Sequence, residues 1–267
     1  MNPVDLEFAL RGGVFLAVFA ALALWEHMAP ARALRLSRIQ RWRANLGLAI
    51  ISTLVVRFIV PGSAIAIAVV ASKEGWGLFN RLEAPSWSAI LAAVVLLDLI
   101  VYFQHVLFHS IPLLLRLHSV HHADPDFDLT TGIRFHPIEI LISALIKLAA
   151  VAALGAPVVA VLAFELLLNA TAMFNHANVS LPAWLEPWVR RALVTPDMHR
   201  IHHSVVEAER NSNYGFCLST WDRLFGTYTR APRGELDIGL LAWRDHRVIA
   251  TLPGTLGMPF RHESGAR

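Results

Sequence analysis

The sequence has one cysteine, Cys217, in 267 residues. An intrachain disulfide is therefore impossible, and a thiolate-bound metal is unsupported. Charge is also scarce, at 16% of the chain, where soluble domains carry about a quarter. Combined with 55% hydrophobic residues and a mean hydropathy of +0.51, this scarcity marks an integral membrane protein. No basic stripe with interleaved aromatics is present, so nucleic-acid binding has no support. There is no low-complexity tract and no polar linker, and the chain reads as one continuous domain. A G-x-G-x-x-G fingerprint after a strand is missing, as are H-E-x-x-H and the Glu-x-x-His of carboxylate-rich di-iron bundles.

Histidine, by contrast, is abundant, with 13 residues. Ten of these fall between His105 and His203. Eight form His105-x-x-x-His109, His118-x-x-His121-His122 and His199-x-x-His202-His203, with His136 and His176 between the second and third clusters. Imidazole is the commonest metal ligand near neutral pH, and spacings of three and four place side chains on one helix face. Two copies of H-x-x-H-H beside an H-x-x-x-H therefore point to a metal site. A structural zinc takes four ligands and a haem only one or two, so eight or more histidines suit two ions. His27, His246 and His262 lie outside the clusters and read as incidental.

A membrane span needs about 20 largely apolar residues. Candidates are 12–28, 46–71 with a break at Pro61-Gly62, 87–108, 138–154 and 157–174. The last two turn at Gly155-Ala156-Pro157 and form a hairpin that need not reach the far surface. Asp5 and Glu7 beside Arg11 argue for a retained first helix rather than a signal peptide. Arg32, Arg35, Arg38, Arg41 and Arg43 follow the first span, and only Lys73 and Arg81 follow the second. The positive-inside rule then puts the first loop in the cytoplasm and the N-terminus outside. Counting spans brings all three histidine clusters to the cytoplasmic side. The expected fold is an all-α integral membrane bundle of about four to five membrane helices or hairpin segments. A cytoplasmic helical cap would carry a histidine-rich dinuclear site. Its regions are N-terminal membrane helices (1–89), a catalytic region (90–232) and a C-terminal tail (233–267) packed on the cap.

Ionisable residues inside spans are costly, and are usually paired or functional. Asp98, Tyr102, His105 and His109 share one helical face. Asp98 could accept from a ligand imidazole or pair with Arg57. Lys147 and Glu165 lie nearly equidistant from the Gly155-Ala156 turn and are expected to form an ion pair across the hairpin.

The eight-histidine pattern, "DLIVYFQHVLFH", "RFHPIE", "FNHANVSLPAWL", "TPDMHRIHH" and "NYG…WDRLFGT" together resemble the fatty acid hydroxylase/sterol desaturase superfamily, in order, over roughly 90–232. The resemblance implies a membrane-bound non-haem di-iron oxygenase. Such an enzyme uses O2 and two external electrons to hydroxylate or desaturate a C–H bond of a fatty acyl, sterol or related lipid. Carried over by position, the ligands are His105, His109, His118, His121, His122, His199, His202 and His203. His176 matches a further ligand position. Ala172 stands where some relatives have another histidine, which is a departure from the fullest pattern. His136 would close the ligand set, or else anchor the start of its helix, and Asn178 could offer an oxygen. Asp98, Glu139, Asp197 and Asp222 are candidates to hold the ligands. The plainer readings make Asp197 a helix N-terminal residue and Asp222 a partner of Arg223 or Arg200. No organic cofactor is expected beyond two irons, although nitrogen-rich sites also accept zinc.

No cytochrome b5-like, ferredoxin-like or reductase-like domain is present, so electrons would come from a separate partner. The arginines at 32–43, with Arg190, Arg191 and Arg200, are expected to face anionic lipid rather than an acidic carrier. Trp184, Trp188 and Trp221 read as interface anchors or packing. Ether-lipid cleavage and carotenoid hydroxylation share the same histidine code. A membrane metal transporter or sensor is the rival from another class, but it would place its ligands near mid-membrane.

Overall fold

The structure, a computed structural model, describes residues 3–60 and 62–261, with side chains described from residue 9 onward. His262 and Pro61 lie outside the described residues. The described chain is helical, and its extended pieces meet only in isolated bridges such as Leu193 with Leu218. Ten helices organise it: α1 (Pro3–Met28), α2 (Arg38–Ile59), α3 (Ala64–Glu74), α4 (Ser86–Ser110), α5 (Pro112–His122), α6 (Pro137–Leu154), α7 (Val158–His176), α8 (Pro196–His202), α9 (Thr220–Leu224) and α10 (Leu252–Gly257). Single helical turns and loops connect them.

Five segments are long and apolar enough to cross a membrane: Ala9–Met28, Arg38–Arg81, Ser86–Ser110, Pro137–Leu154 and Val158–His176. They coincide with the five expected from hydropathy. The second is broken where the sequence suggests, since Gly62 adopts a left-handed φ of +107° and Ser63 caps α3 by accepting from the Ala66 N–H. Large apolar side chains such as Leu16, Phe58, Leu91, Leu145 and Val159 point outward. A water-soluble bundle would bury that surface; here it is the face for lipid.

Small residues set the spacing of the bundle. Ala64, Ala68, Ala93 and Ala160 are buried and let α3, α4 and α7 approach closely, while Leu97, Val151 and Phe164 fill the space between. The α6–α7 hairpin turns on Gly155, at φ +61°. A Cβ there would sit 2.3 Å from the Trp76 carbonyl, and one on Gly77 would sit 2.0 Å from the Gly155 nitrogen. The hairpin tip thus packs backbone against backbone under the loop that follows α3. Across the hairpin the expected ion pair is present: Lys147 Nζ lies 2.5 Å from Glu165 Oε1. Arg11 of α1 joins it, 2.9 Å from Glu165 Oε2.

At the other end, the C-terminal segment folds back as the base of the cap. Trp243, Val248, Ile249, Ala250 and Met258 pack with Leu48 of α2 and Val120 of α5. Here the arginine-rich loop departs from expectation. Arg41 is fully buried, donating to Asp124 (2.8 and 2.6 Å) and Asp128 (2.5 Å). Arg35 pairs with Asp237 at 2.7 Å, and Arg32 donates to the Leu236 carbonyl at 2.9 Å. Three of the five arginines therefore bind protein groups instead of forming a free basic face.

Candidate metal centre

Four helix ends deliver nine buried histidines to one place, in two groups. His105, His109, His118, His122 and His202 form the first, and His121, His176, His199 and His203 the second; within each, the candidate ligand atoms lie within 4.8 Å of one another. The repeated H-x-x-H-H motif explains the division. Its outer histidines, one helical turn apart, face one group while the inner one faces the other. On α5, His118 and His122 serve the first group and His121 the second. On α8 and its C-cap the assignment is exchanged: His199 and His203 serve the second group and His202 the first. To these α4 adds His105 and His109, and α7 adds His176.

The ring nitrogens are spaced as ligands are. Nε2 of His105 is 3.1 Å from Nε2 of His118, and Nε2 of His109 is 3.1 Å from that of His122. Nε2 of His176 has Nε2 of His199, His121 and His203 at 3.0, 3.1 and 3.2 Å. Two nitrogens each about 2.1 Å from one ion stand about 3.0 Å apart at right angles and about 3.4 Å apart in a tetrahedron.

Hydrogen bonding on the far side of the rings fixes the protons. Nδ1 of His105 donates to the Tyr214 carbonyl (2.8 Å), Nδ1 of His176 to Ala172 (2.6 Å) and Nδ1 of His202 to Ser212 (2.7 Å). Nδ1 of His118 donates to Glu139 Oε1 at 2.6 Å. Each Nε2 is thereby left as a bare lone pair. His105 and His118 then set lone pair against lone pair, and Nε2 of His202 is buried with no protein partner. A cation between them satisfies what a hydrogen bond cannot, so the donor set fits a metal. Burial holds the His118 imidazole down at about 3. Burial and the neighbouring rings hold His121, His122, His199, His202 and His203 well below the usual histidine range. All six are neutral near pH 7, the form that binds metal. Phe135 stacks on His121 (4.3 Å between centroids, 12°), Phe127 packs on His176 and His203, and Phe216 on His105, giving the centre dry walls.

Several sequence expectations are corrected. His136 belongs to neither group. It caps α6, Nδ1 accepting from the Ile138 N–H at 3.2 Å while Nε2 donates to the Leu256 carbonyl at 3.3 Å. Standing just before Pro137, its ring turns back onto its own helix start. Asp98 contacts neither an imidazole nor Arg57. It accepts from the Cys217 and Leu218 N–H groups (3.2 and 3.1 Å) and from Nε1 of half-buried Trp221 (2.8 Å), so Trp221 takes the packing alternative. Asp197 sits in the first turn of α8, the plainer reading, where it pairs with Arg200 (2.6 Å) and accepts from Ser180 (2.9 Å). Asn178 closes a pair of hydrogen bonds with the Arg32 backbone, so its side-chain oxygen already accepts from a protein N–H.

Asp222 pairs with neither Arg223 nor Arg200. Its carboxylate accepts from the Tyr214 and Gly215 N–H groups (2.7 and 2.9 Å) and from Thr227 (2.7 Å), and burial raises it to about 6. It thereby sets the turn whose Tyr214 carbonyl holds His105. Glu139 alone among the four carboxylates touches a grouped histidine. The carbonyls of Tyr214, Ser212 and Ala172 escape sequence reasoning because a backbone carbonyl has no residue signature. The "NYG" triplet is the one signal near them. Glu26, buried and accepting from the Leu129 and Asn178 N–H groups at 2.7 and 2.8 Å, was also unmarked.

Fold and site together define a helical, multi-pass membrane protein with a buried histidine site, in two groups, whose donors fit metal. A family profile described as fatty acid hydroxylase matches residues 90–227, more than half of the sequence, and the chain belongs to that family. It is 30% identical over 172 residues to an ornithine lipid hydroxylase from Rhizobium tropici, covering 64% of this chain and 50% of that protein. It is 31% identical to an alkylglycerol monooxygenase from Danio rerio (60% and 35% covered), and 31% to a very-long-chain aldehyde decarbonylase from Oryza sativa subsp. indica (57% and 58%). The chain thus spans between about a third and somewhat over half of the length of these relatives. No solved structure matches it.

Proposed function

We propose that this protein is a membrane-bound non-haem di-iron oxygenase acting on a lipid C–H bond. The observation that carries the reading is the pair of buried neutral-histidine groups, five and four rings, at the ends of apolar helices. Their two-ion capacity, family membership and the lipid-modifying names of the relatives support it together. Two irons held there would supply O2 activation. In hydroxylation one C–H bond, O2, two electrons and two protons give one alcohol and one water. In desaturation the same inputs remove two hydrogens, giving an alkene and two waters. The chain's own tasks are definite. His105, His109, His118, His122 and His202 would hold one ion, and His121, His176, His199 and His203 the other. Glu139 and the three backbone carbonyls fix the ring protons. Phe127, Phe135 and Phe216 exclude water, and the open apolar faces admit a lipid sideways from the bilayer. Electrons come from a separate carrier. The excess of arginine after the first span supports a centre on the cytoplasmic side.

The test is iron and zinc per chain, in protein made in iron-supplemented cells and purified anaerobically. Near two irons, lost in His121→Ala, supports the reading; one metal or none sinks it.

The similarity to alkylglycerol monooxygenases favours a second reading for the substrate, an ether lipid. Hydroxylation beside an ether oxygen gives a hemiacetal that falls apart into an aldehyde and an alcohol. Aldehyde trapped from a 1-O-alkyl lipid, with no alcohol product from a diacyl lipid, would select it.

A further inference from the structure

One surface feature is used neither by the metal centre nor by the bundle. Residues 182–193 and 219–230 form a shelf beside α4. The two strips are tied through Arg190, whose carbonyl accepts from Arg223 (2.9 Å) and Ser219 (2.6 Å) and whose guanidinium donates to the Arg230 carbonyl (2.7 Å). The shelf presents large apolar side chains outward: Trp184 is 73% exposed, Trp188 63% and Leu224 66%. Among them are guanidiniums lying on rings, Arg191 over Trp188 at 4.3 Å and Arg223 over Tyr228 at 4.1 Å. Glu186 is already taken by Arg190 and Thr195, and Arg223 donates to Ser219 and the Arg190 carbonyl, which leaves Arg191 and Arg230 as the outward charge.

The depth of this shelf is set by α4. Phe225 stacks on Tyr102 (5.4 Å, 23°) and lies 4.9 Å from Phe103. Phe103 is about 10 Å along the helix from its Ser110 end at 1.5 Å per residue, and Phe103 and Leu107 are themselves exposed on the apolar face. A surface that continues the lipid-facing side of a spanning helix, about 10 Å inside its end, lies at the depth interfacial segments reach. Indole rings and snorkelling arginines prefer that zone. A soluble partner would have to enter the bilayer surface to reach it.

We infer that the 182–193 and 219–230 shelf lies in the plane of the bilayer surface, with Trp184, Trp188 and Leu224 in the lipid and Arg191 and Arg230 on anionic headgroups. Because Val194 and the metal-bearing α8 follow the first strip directly, the shelf moors the second histidine group to the membrane. The inference rests on Ser86–Ser110 spanning the bilayer, and it does not depend on which metal or substrate the centre takes.

The single buried cysteine makes the test direct. In a Cys217→Ala background, full-length protein carrying Trp188→Cys, Leu224→Cys or the control Glu207→Cys is spin-labelled and reconstituted in nanodiscs. Each variant is used only if its melting temperature matches that of the background. The expected result is an oxygen-to-nickel collision ratio several-fold higher at 188 and 224 than at 207. Equal ratios at all three sites overturn the membrane placement. Adding phosphatidylglycerol to phosphatidylcholine discs should slow the label at 224, and Arg191→Glu with Arg230→Glu should abolish that change. Mobility indifferent to phosphatidylglycerol overturns the headgroup assignment.

Discussion

His121 and His136 carry the same side chain, and the structure gives them unlike roles. His121 faces His176 and His203 with no protein partner for its Nδ1, whereas both nitrogens of His136 are satisfied by backbone groups. His136→Ala should therefore leave metal content unchanged and cost about 1 kcal/mol of stability, the usual worth of a helix N-cap. Metal analysis beside a denaturation curve checks both halves, and loss of metal would return His136 to the ligand set. Glu139 is the complementary case. Its carboxylate fixes the His118 proton, and partners of this kind are worth about 10- to 100-fold in metal affinity. Glu139→Gln should weaken one ion of the pair by that factor in a chelator competition while the second ion holds. Eight of the nine grouped histidines were legible in the sequence from their spacing, and His176 from the family resemblance. The bearings of Asp98, Asp197 and Asp222 were not, because a carboxylate's partner is chosen by the fold.

Among the elements, the membrane helices were the most legible part, since long apolar runs leave few alternatives. Even the break between α2 and α3 was marked by Pro61-Gly62. The α6–α7 hairpin shows where legibility stopped: the turn was visible, but its seat against Gly77 was not. With φ at +61° and the Trp76 carbonyl in the way, Gly155→Ala should cost more than about 1 kcal/mol. A melting temperature equal to wild type would mean the tip is not packed there. The loop after α1 was misread for a related reason. A run of arginines beside a span reads as a lipid-facing charge, yet Arg41 is claimed by the Asp124-x-Asp126-x-Asp128 loop some 80 residues on. That loop carries Phe127 against the second histidine group. Arg41→Met leaves buried carboxylates without their cation, a loss on the order of 3–5 kcal/mol, and should lower metal retention along with the unfolding midpoint.

For the whole molecule, the proposed site of chemistry is also a source of tension in the metal-free fold. Consecutive helices α4 and α5 meet α7 and α8 from later in the chain, at a point where nine imidazoles crowd without enough protons to bond one another. The six rings outside the membrane segments are held neutral in the fold by burial and by one another, with His118 down at about 3. Unfolding releases them to titrate near 6.5. Below that value the unfolded chain binds protons the fold refuses, so stability falls as pH falls, by about 1.4 kcal/mol per pH unit for each ring. Asp222, raised to about 6, acts in the opposite sense, since the fold favours its protonated form and gains as pH falls. Outside the membrane-spanning segments, one raised carboxylate against six imidazoles leaves the histidines dominant. Metal-free protein should therefore lose melting temperature steadily from about pH 7 to about pH 5. Protein loaded with metal should hold its melting temperature until protons displace the ions, and then fall abruptly, because bound metal keeps each ring deprotonated. A calorimetric series over that range, with and without metal, decides it. Parallel curves for the two forms would mean that the rings are not gathered around ions in the working protein.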